Sequence, residues 1–151
     1  MKARILILIF SISLFACESS DEESLLLQLV NEARSSGYYC GGDYCPPTTP
    51  VSWDTTLELV AYDHSLDMDK NKNLNHTGSD GSNPGQRMSR RGYDWRTYGE
   101  NIAYGYKTEE DVIAAWLKSP GHCKNIMSPA FKDMGISRVG DYWTQVFGTK
   151  R

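Results

Sequence analysis

YGENIAYGYKTEEDVIAAWLKSPGHCKNIM, residues 98–127, sets the frame for the rest of the chain. Tyr98 to Tyr106 reads as a strand broken by glycines, carrying an acid beside an amide at Glu100 and Asn101. Thr108 followed three residues later by Asp111 resembles a capping box, with Asp in place of Glu. Val112, Ala115, Trp116 and Ser119 then mark one face of a helix that runs to Lys118. Pro120-Gly121 breaks that helix, and a short turn is expected to carry His122, Cys123 and Asn125. One strand-turn-helix excursion separates Glu100 from His122, so a compact fold can return them to one place.

The C-terminal end supplies the partner strands. Met134 to Val139 and Tyr142 to Phe147 read as a hairpin around Gly140-Asp141, in a type II′ turn. Trp143 and Phe147 point to one face of the second strand, Tyr142 and Val146 to the other. Bulky residues on both faces require cover on both sides, which predicts an α/β three-layer α-β-α sandwich with a central, mostly antiparallel sheet.

Upstream, Leu25, Leu26, Leu29, Val30 and Ala33 share one side of a helix that starts at Ser24 and ends at Ser35-Ser36-Gly37. Asn31 and Arg34 sit near the edge of that face and read as surface hydrogen bonders. Residues 38–52 hold Cys40, two glycines, Cys45 and three prolines, a density of breakers that predicts a pinned loop with no regular element. Asp54 caps a second helix whose stripe of Leu57, Ala61, His64 and Met68 places His64 against the core as a packing residue. Leu74 to Arg87 is a polar loop, and no apolar period explains His76 within it. Asp80-Gly81-Ser82-Asn83 lacks the alternating acids and terminal glutamate of a calcium loop. Asn83-Pro84 then begins a short helix that ends near Gly92.

The 151 residues suffice for one domain with a single core, expected over residues 24–151. Lys2 and Arg4 ahead of the apolar run Ile5 to Phe15 make residues 1–16 an export signal. Leu14-Phe15-Ala16-Cys17 resembles the lipobox of bacterial lipoproteins, which predicts lipidation at Cys17, a polar tether at 17–23 and a membrane anchor. Glu18 in place of an aspartate after the lipidated cysteine points to the outer membrane or cell surface. Removing the signal takes away two bases and no acid, moving the formal charge from −3 to −5. Such an acidic domain without a basic stripe is not a nucleic-acid binder.

His76-Thr77-Gly78, Gly99-Glu100-Asn101-Ile102-Ala103, Ser119-Pro120-Gly121-His122 and Tyr142-Trp143-Thr144-Gln145-Val146-Phe147 together resemble the CAP superfamily. That family includes cysteine-rich secretory proteins, venom antigen 5 and plant pathogenesis-related proteins, and the bacterial SCP-domain branch is the nearer likeness. The resemblance spans about Leu26 to Phe147 and implies the same three-layer sandwich. It also implies a central cavity lined by two histidines, His76 and His122, and by the acid Glu100. The family's second acid falls at Ser119, three residues after Trp116, so the set of four is incomplete here.

Two neutral imidazoles can hold a divalent ion such as zinc, with Glu100 as a ligand or as a base beside it. His76, Glu100 and His122 are therefore the catalytic candidates, and His76 with His122 the metal candidates. No HExxH spacing reinforces them. A Ser119–His122 nucleophile pair has no orientation fixed by its spacing across Pro-Gly. In bacterial relatives a cysteine in the first loop and another directly after the Ser-Pro-Gly-His histidine imply a Cys40–Cys123 disulfide, with Cys40–Cys45 as the alternative. Nine tyrosines and four tryptophans can wall an amphipathic groove. The functional expectation is a non-catalytic binding module for an envelope or host lipid, glycan or peptide. A metal-dependent hydrolase and a structural envelope protein are the alternatives.

Overall fold

The computed structural model describes residues 15–151. The export signal expected at 1–16 falls almost wholly outside the described residues, as does the side chain of Cys17. Helix α1 (Phe15–Ser36) continues through residues 17–23, the stretch expected as a tether, and its backbone there is helical. Leu26, Val30 and Ala33 face the core from α1.

Arg34 departs from expectation. It is fully buried, not a surface hydrogen bonder, because it stands eight residues after Leu26 on the same helical stripe. Its guanidinium donates to the carbonyls of Thr49, Ile126, Ser128 and Phe131. Asn31 likewise does more than decorate a surface. Its side chain donates to Val51 O at 3.0 Å and accepts from Val51 N at 2.9 Å, holding that loop as a strand neighbour would.

Residues 38–52 also depart from the expected loop. Strands β1 (Tyr38–Cys40) and β2 (Asp43–Cys45) pair antiparallel, and β3 (Ser52–Trp53) follows. Gly41, at φ +69°, turns the chain between the first two, so the glycines build a hairpin where a breaker count predicted none.

Helix α2 (Thr55–Asn71) starts at Asp54, whose side chain accepts from Thr56 N at 2.9 Å and Leu57 N at 3.0 Å. Helix α3 (Pro84–Arg90) carries a reciprocal capping box between Asn83 and Gln86. Strand β4 (Trp95–Tyr104) begins three residues before the predicted start and stops at Gly105. Helix α4 (Glu109–Lys118) is capped by Thr108 Oγ1, which accepts from Asp111 N.

The expected turn after α4 is instead helix α5 (Pro120–Met127). Ser119 is extended (φ −89°, ψ 118°) and ends one helix while opening the next. Proline at the first helical position loses no hydrogen bond, so Pro120 stops α4 and starts α5 at once. Strands β5 (Asp133–Val139) and β6 (Tyr142–Lys150) form the hairpin. Gly140 has φ +59° and Asp141 does not have positive φ, as a type II′ turn demands.

The main sheet runs β3-β5-β6-β4, antiparallel except for the β3–β5 pair. α1, α4 and α5 pack one face, where Trp116, Trp143, Phe147 and Ile126 form the larger core. α2 and α3 pack the other, over Val146, Tyr93 and Met88. α2 lies close because Gly135 has no side chain: a Cβ there would come within 2.1 Å of the Glu58 nitrogen. The result is an α/β three-layer α-β-α sandwich.

β4 is an edge strand, and side chains from the helices cover its open carbonyls. Trp116 Nε1 donates to Ile102 O at 3.2 Å, and Asn125 Nδ2 to Glu100 O at 3.1 Å. Satisfied this way, the edge does not invite another strand.

Candidate functional site

Glu100 lies in the middle of β4, opposite Val146, with its side chain on the α2–α3 face and 2 % exposed. A buried carboxylate needs partners, and three segments supply them. Arg87 of α3 donates from Nη2 to Oε2 at 2.6 Å. His76, from the loop between α2 and α3, donates from Nδ1 to Oε1 at 2.8 Å. His64 of α2 holds Nε2 at 3.8 Å from the same oxygen and at 2.9 Å from Asn75 O. Arg87 also donates to His76 O and Ser82 O, so one guanidinium fixes both the acid and the loop that carries His76.

The arrangement fixes tautomers. With Nδ1 of His76 spent on a carboxylate, Nε2 is left as the bare nitrogen. The His76 side chain is 53 % exposed, so that nitrogen is open to a visiting group. His64 is enclosed, and its pKa is lowered, first by burial and further by Arg87, with Glu100 opposing. It is therefore neutral at neutral pH.

His122 occupies the first turn of α5, on the other layer, half-buried. Burial lowers its pKa, and the charge that His76 can carry lowers it further, so the two imidazoles lie within electrostatic reach of one another. Its carbonyl accepts from Asn101 Nδ2, which also donates to Gln145 Oε1 at 2.9 Å. Asn101 is thus a buried amide that ties α5 to the sheet. The Cys40–Cys123 disulfide, with Cα atoms 5.4 Å apart, pins the same turn to β1. Among the described residues Cys45 is a free, partly buried thiol, and with Cys40 bonded to Cys123 the alternative Cys40–Cys45 pairing does not form.

The candidates thus come together unequally. His76 and Glu100 are in direct contact. His122 feels the charge of His76, and no hydrogen bond joins its ring to Glu100 among the described residues. Ser119, where the family carries its second acid, sits half-buried at the α4–α5 junction and makes no capping bond with its side chain. Asp80 is held by Ser82 N and Arg90, which closes its turn without assembling a calcium loop.

Among the described residues, no group of three or more His, Cys, Asp and Glu side chains converges on a metal position. Glu100 accepts on both oxygens already. The donor set for a divalent ion is the His76 Nε2 and the His122 ring, fewer than the three protein ligands of catalytic zinc sites.

Sequence reasoning missed Arg87 and passed over His64. Position 64 fits the apolar stripe of α2, so its period hides its second contact. Arg87 had only one hint, its place four residues after the Asn83 cap on a helix that must dock somewhere.

Known proteins share this fold. The family profile described as "CAP: Cysteine-rich secretory protein family" matches residues 27–147. The chain is 40% identical over 100 residues to protein YkwD of Bacillus subtilis (strain 168), a match covering 65% of this chain and 39% of that protein. An extracellular protein containing a SCP domain from Bacillus anthracis str. Ames has a solved structure with TM-score 0.77 and 27% identity, covering 87% of this chain and 41% of that one. An outer surface protein of Borrelia burgdorferi shares the fold at TM-score 0.76 and 22% identity, covering 88% of this chain and 96% of that one. The match thus spans about two-fifths of the Bacillus proteins' lengths.

Proposed function

The chain belongs to the cysteine-rich secretory protein family, in its bacterial SCP branch, and from that premise we propose that it is an exported, non-catalytic binding module of the cell envelope. The observation that carries this reading is the state of Glu100. Both carboxylate oxygens are taken, by Arg87 at 2.6 Å and His76 at 2.8 Å, inside a buried network. A general base must reach a proton on substrate or water, and a metal ligand must offer a lone pair. Glu100 keeps spare lone pairs, but its side chain is only 2 % exposed and enclosed by its partners, so it serves to orient His76.

What the site presents outward is two imidazoles, His76 and His122, one of them with a fixed bare nitrogen. A divalent ion such as zinc would be held there, and it would supply a positive centre for an envelope or host ligand's oxygen or nitrogen donors. Export is supported by two similar proteins, one extracellular and one of the outer surface. Among the described residues no helix is long and apolar enough to cross a membrane. In this reading the membrane attachment is the lipid on Cys17, at the outer membrane or cell surface.

One observation favours the hydrolase alternative: a carboxylate behind a histidine is also how catalytic metal sites orient their ligands. Two measurements separate the readings. Zinc calorimetry on residues 18–151 is expected to show one-to-one binding lost in both His76→Ala and His122→Ala; heat unchanged in both variants refutes the two-histidine face. Peptide and ester hydrolysis is expected to be absent, and saturable turnover abolished by Glu100→Gln would establish the enzyme instead.

A further inference from the structure

The two edges of the main sheet are finished differently. On β4, side chains cover the open carbonyls. At the opposite edge, β3 pairs with β5 at only two positions, Ser52↔Asp133 and Trp53↔Met134. β5 runs on to Val139, so among the described residues 135–139 have no strand neighbour on that side. Helix α2 presses on this stretch at Gly135, while Ser137, Arg138 and Val139 stay half-buried. An unpaired strand edge is a template for another extended chain unless something blocks it. A charged side chain is the usual block, and Arg138 does not act as one. Its guanidinium lies over the Trp143 ring, 5.2 Å from the centre, and donates to Gly140 O and Lys107 O.

Beside this edge a cavity of about 240 Å³ opens between α1, β3 and the first turns of α2 and α4. Its apolar lining is Leu26, Ile136 and Trp143, all buried. Its charged lining is Glu23, Glu58 and Glu109 against Arg138 alone. Glu58 and Glu109 stand in the first turns of their helices, where the helix dipole favours a negative charge. Among the described residues, none of the three glutamates has a cation within ion-pairing distance, whereas Asp43, Asp54, Asp63, Asp80 and Asp141 each have one. Nor do the three converge on a point that would hold a metal ion. Trp53 completes the wall, and its Nε1 donates to Glu58 Oε2 at 3.1 Å, which fixes the ring beside the carboxylate. An indole so placed attracts a cation to its face.

Three features then specify one occupant. The unpaired edge suits an extended main chain, the buried apolar lining suits an alkyl stem, and the glutamates with the indole suit a positive head. A lysine or arginine side chain has both stem and head. An acidic side chain would meet three carboxylates, and a small hydrated cation would leave the apolar lining unused.

We propose that the β5 edge is a docking groove for an extended basic segment of a partner protein. The segment's main chain pairs alongside Ser137 to Val139, and one lysine or arginine side chain enters the cavity beside Trp53. The groove contains neither His76 nor His122, so it stands or falls apart from the metal-binding reading.

Nitrogen-15 NMR of residues 18–151, titrated with three blocked heptapeptides, tests it. The peptides are Thr-Val-Thr-X-Thr-Val-Thr, with X lysine, norleucine or glutamate. The lysine peptide is expected to shift the Trp53 indole and the Ser137 and Val139 amides together and saturably, and the other two to bind about tenfold more weakly or less. Glu58→Gln and Glu109→Gln are each expected to weaken lysine-peptide binding about two- to fivefold, as half-exposed charge pairs do. His122→Ala is expected to leave it unchanged. The groove is overturned by norleucine binding as tightly as lysine, by the glutamate peptide binding best, or by indole shifts without amide shifts. It is equally overturned by lysine-peptide binding that both glutamine variants leave unchanged, or by no saturable shift with any peptide.

Discussion

Arg34 and Glu100 are both charged, both buried, and held in opposite helical layers around one sheet. Among the described residues Arg34 has no carboxylate partner; four backbone carbonyls from residues 49 to 131 accept its protons at 2.6 to 3.3 Å. Burial pushes its pKa down to about 10, still high enough to keep it charged at neutral pH. It staples α1 to the loops beside β3 and α5, and none of it reaches solvent. Glu100 is neutralised by Arg87 and passes its other oxygen to a histidine that is 53 % exposed. Burial of a charge therefore does not by itself mark a site. A buried charge connected to an exposed, titratable group does.

The largest effect belongs to the staple side. Cys40→Ser with Cys123→Ser opens a loop of 83 residues, and chemical denaturation is expected to show a loss of about 4 to 5 kcal/mol. Arg34→Met leaves four buried acceptors without donors and is expected to cost about 3 to 5 kcal/mol, with zinc binding unchanged in whatever fraction stays folded. If that variant also abolishes binding without unfolding, the division between staple and site is wrong.

Glu100→Gln is expected to cost about 2 to 4 kcal/mol by leaving Arg87 uncompensated, and also to alter the histidine face. Adding Arg87→Met should recover part of that loss, with an interaction energy on the order of 1 to 3 kcal/mol in the double-mutant cycle. Additive losses would show that the ion pair does not organise the site.

Acid separates the two regions again. His64 and His122 have folded pKa values below the ordinary 6.5, so the unfolded chain binds protons that the folded chain refuses. Stability should be level above about pH 7.5 and fall as pH drops below 6.5, by about 1 kcal/mol per unit for each group until its folded pKa is reached. Thermal melts from about pH 8 to 5 check this, and His64→Gln should flatten the fall. The smallest stability effect is that of His76→Ala, under about 1 kcal/mol for a half-exposed pair, yet it should remove zinc binding.

The sequence carried the sandwich because local signals and the global pattern agree. Asp54, Asn83 and Thr108 each cap the helix they announce, and the two-faced strand at 142–147 is covered on both sides. It failed where one residue has two roles. Pro120 reads as a stop and is also a start, and the outcome depends on Ser119 adopting an extended backbone. Arg34 lies on the buried stripe by period, but its charge argues for the surface, and its four acceptors are far away in sequence. His76 and Glu100 stood out as polar residues with no packing explanation. His64 had such an explanation, and Arg87 acquires its role only when α3 docks over β4.

The central claim is that Glu100 orients His76 and is not free for chemistry. Nitrogen-15 NMR of the His76 imidazole at about pH 8 tests it most directly. The account predicts a single tautomer with the proton on Nδ1 and Nε2 bare, collapsing to a mixture in Glu100→Gln. A proton on Nε2 in the parent protein, or a His76 spectrum indifferent to Glu100→Gln, would contradict it.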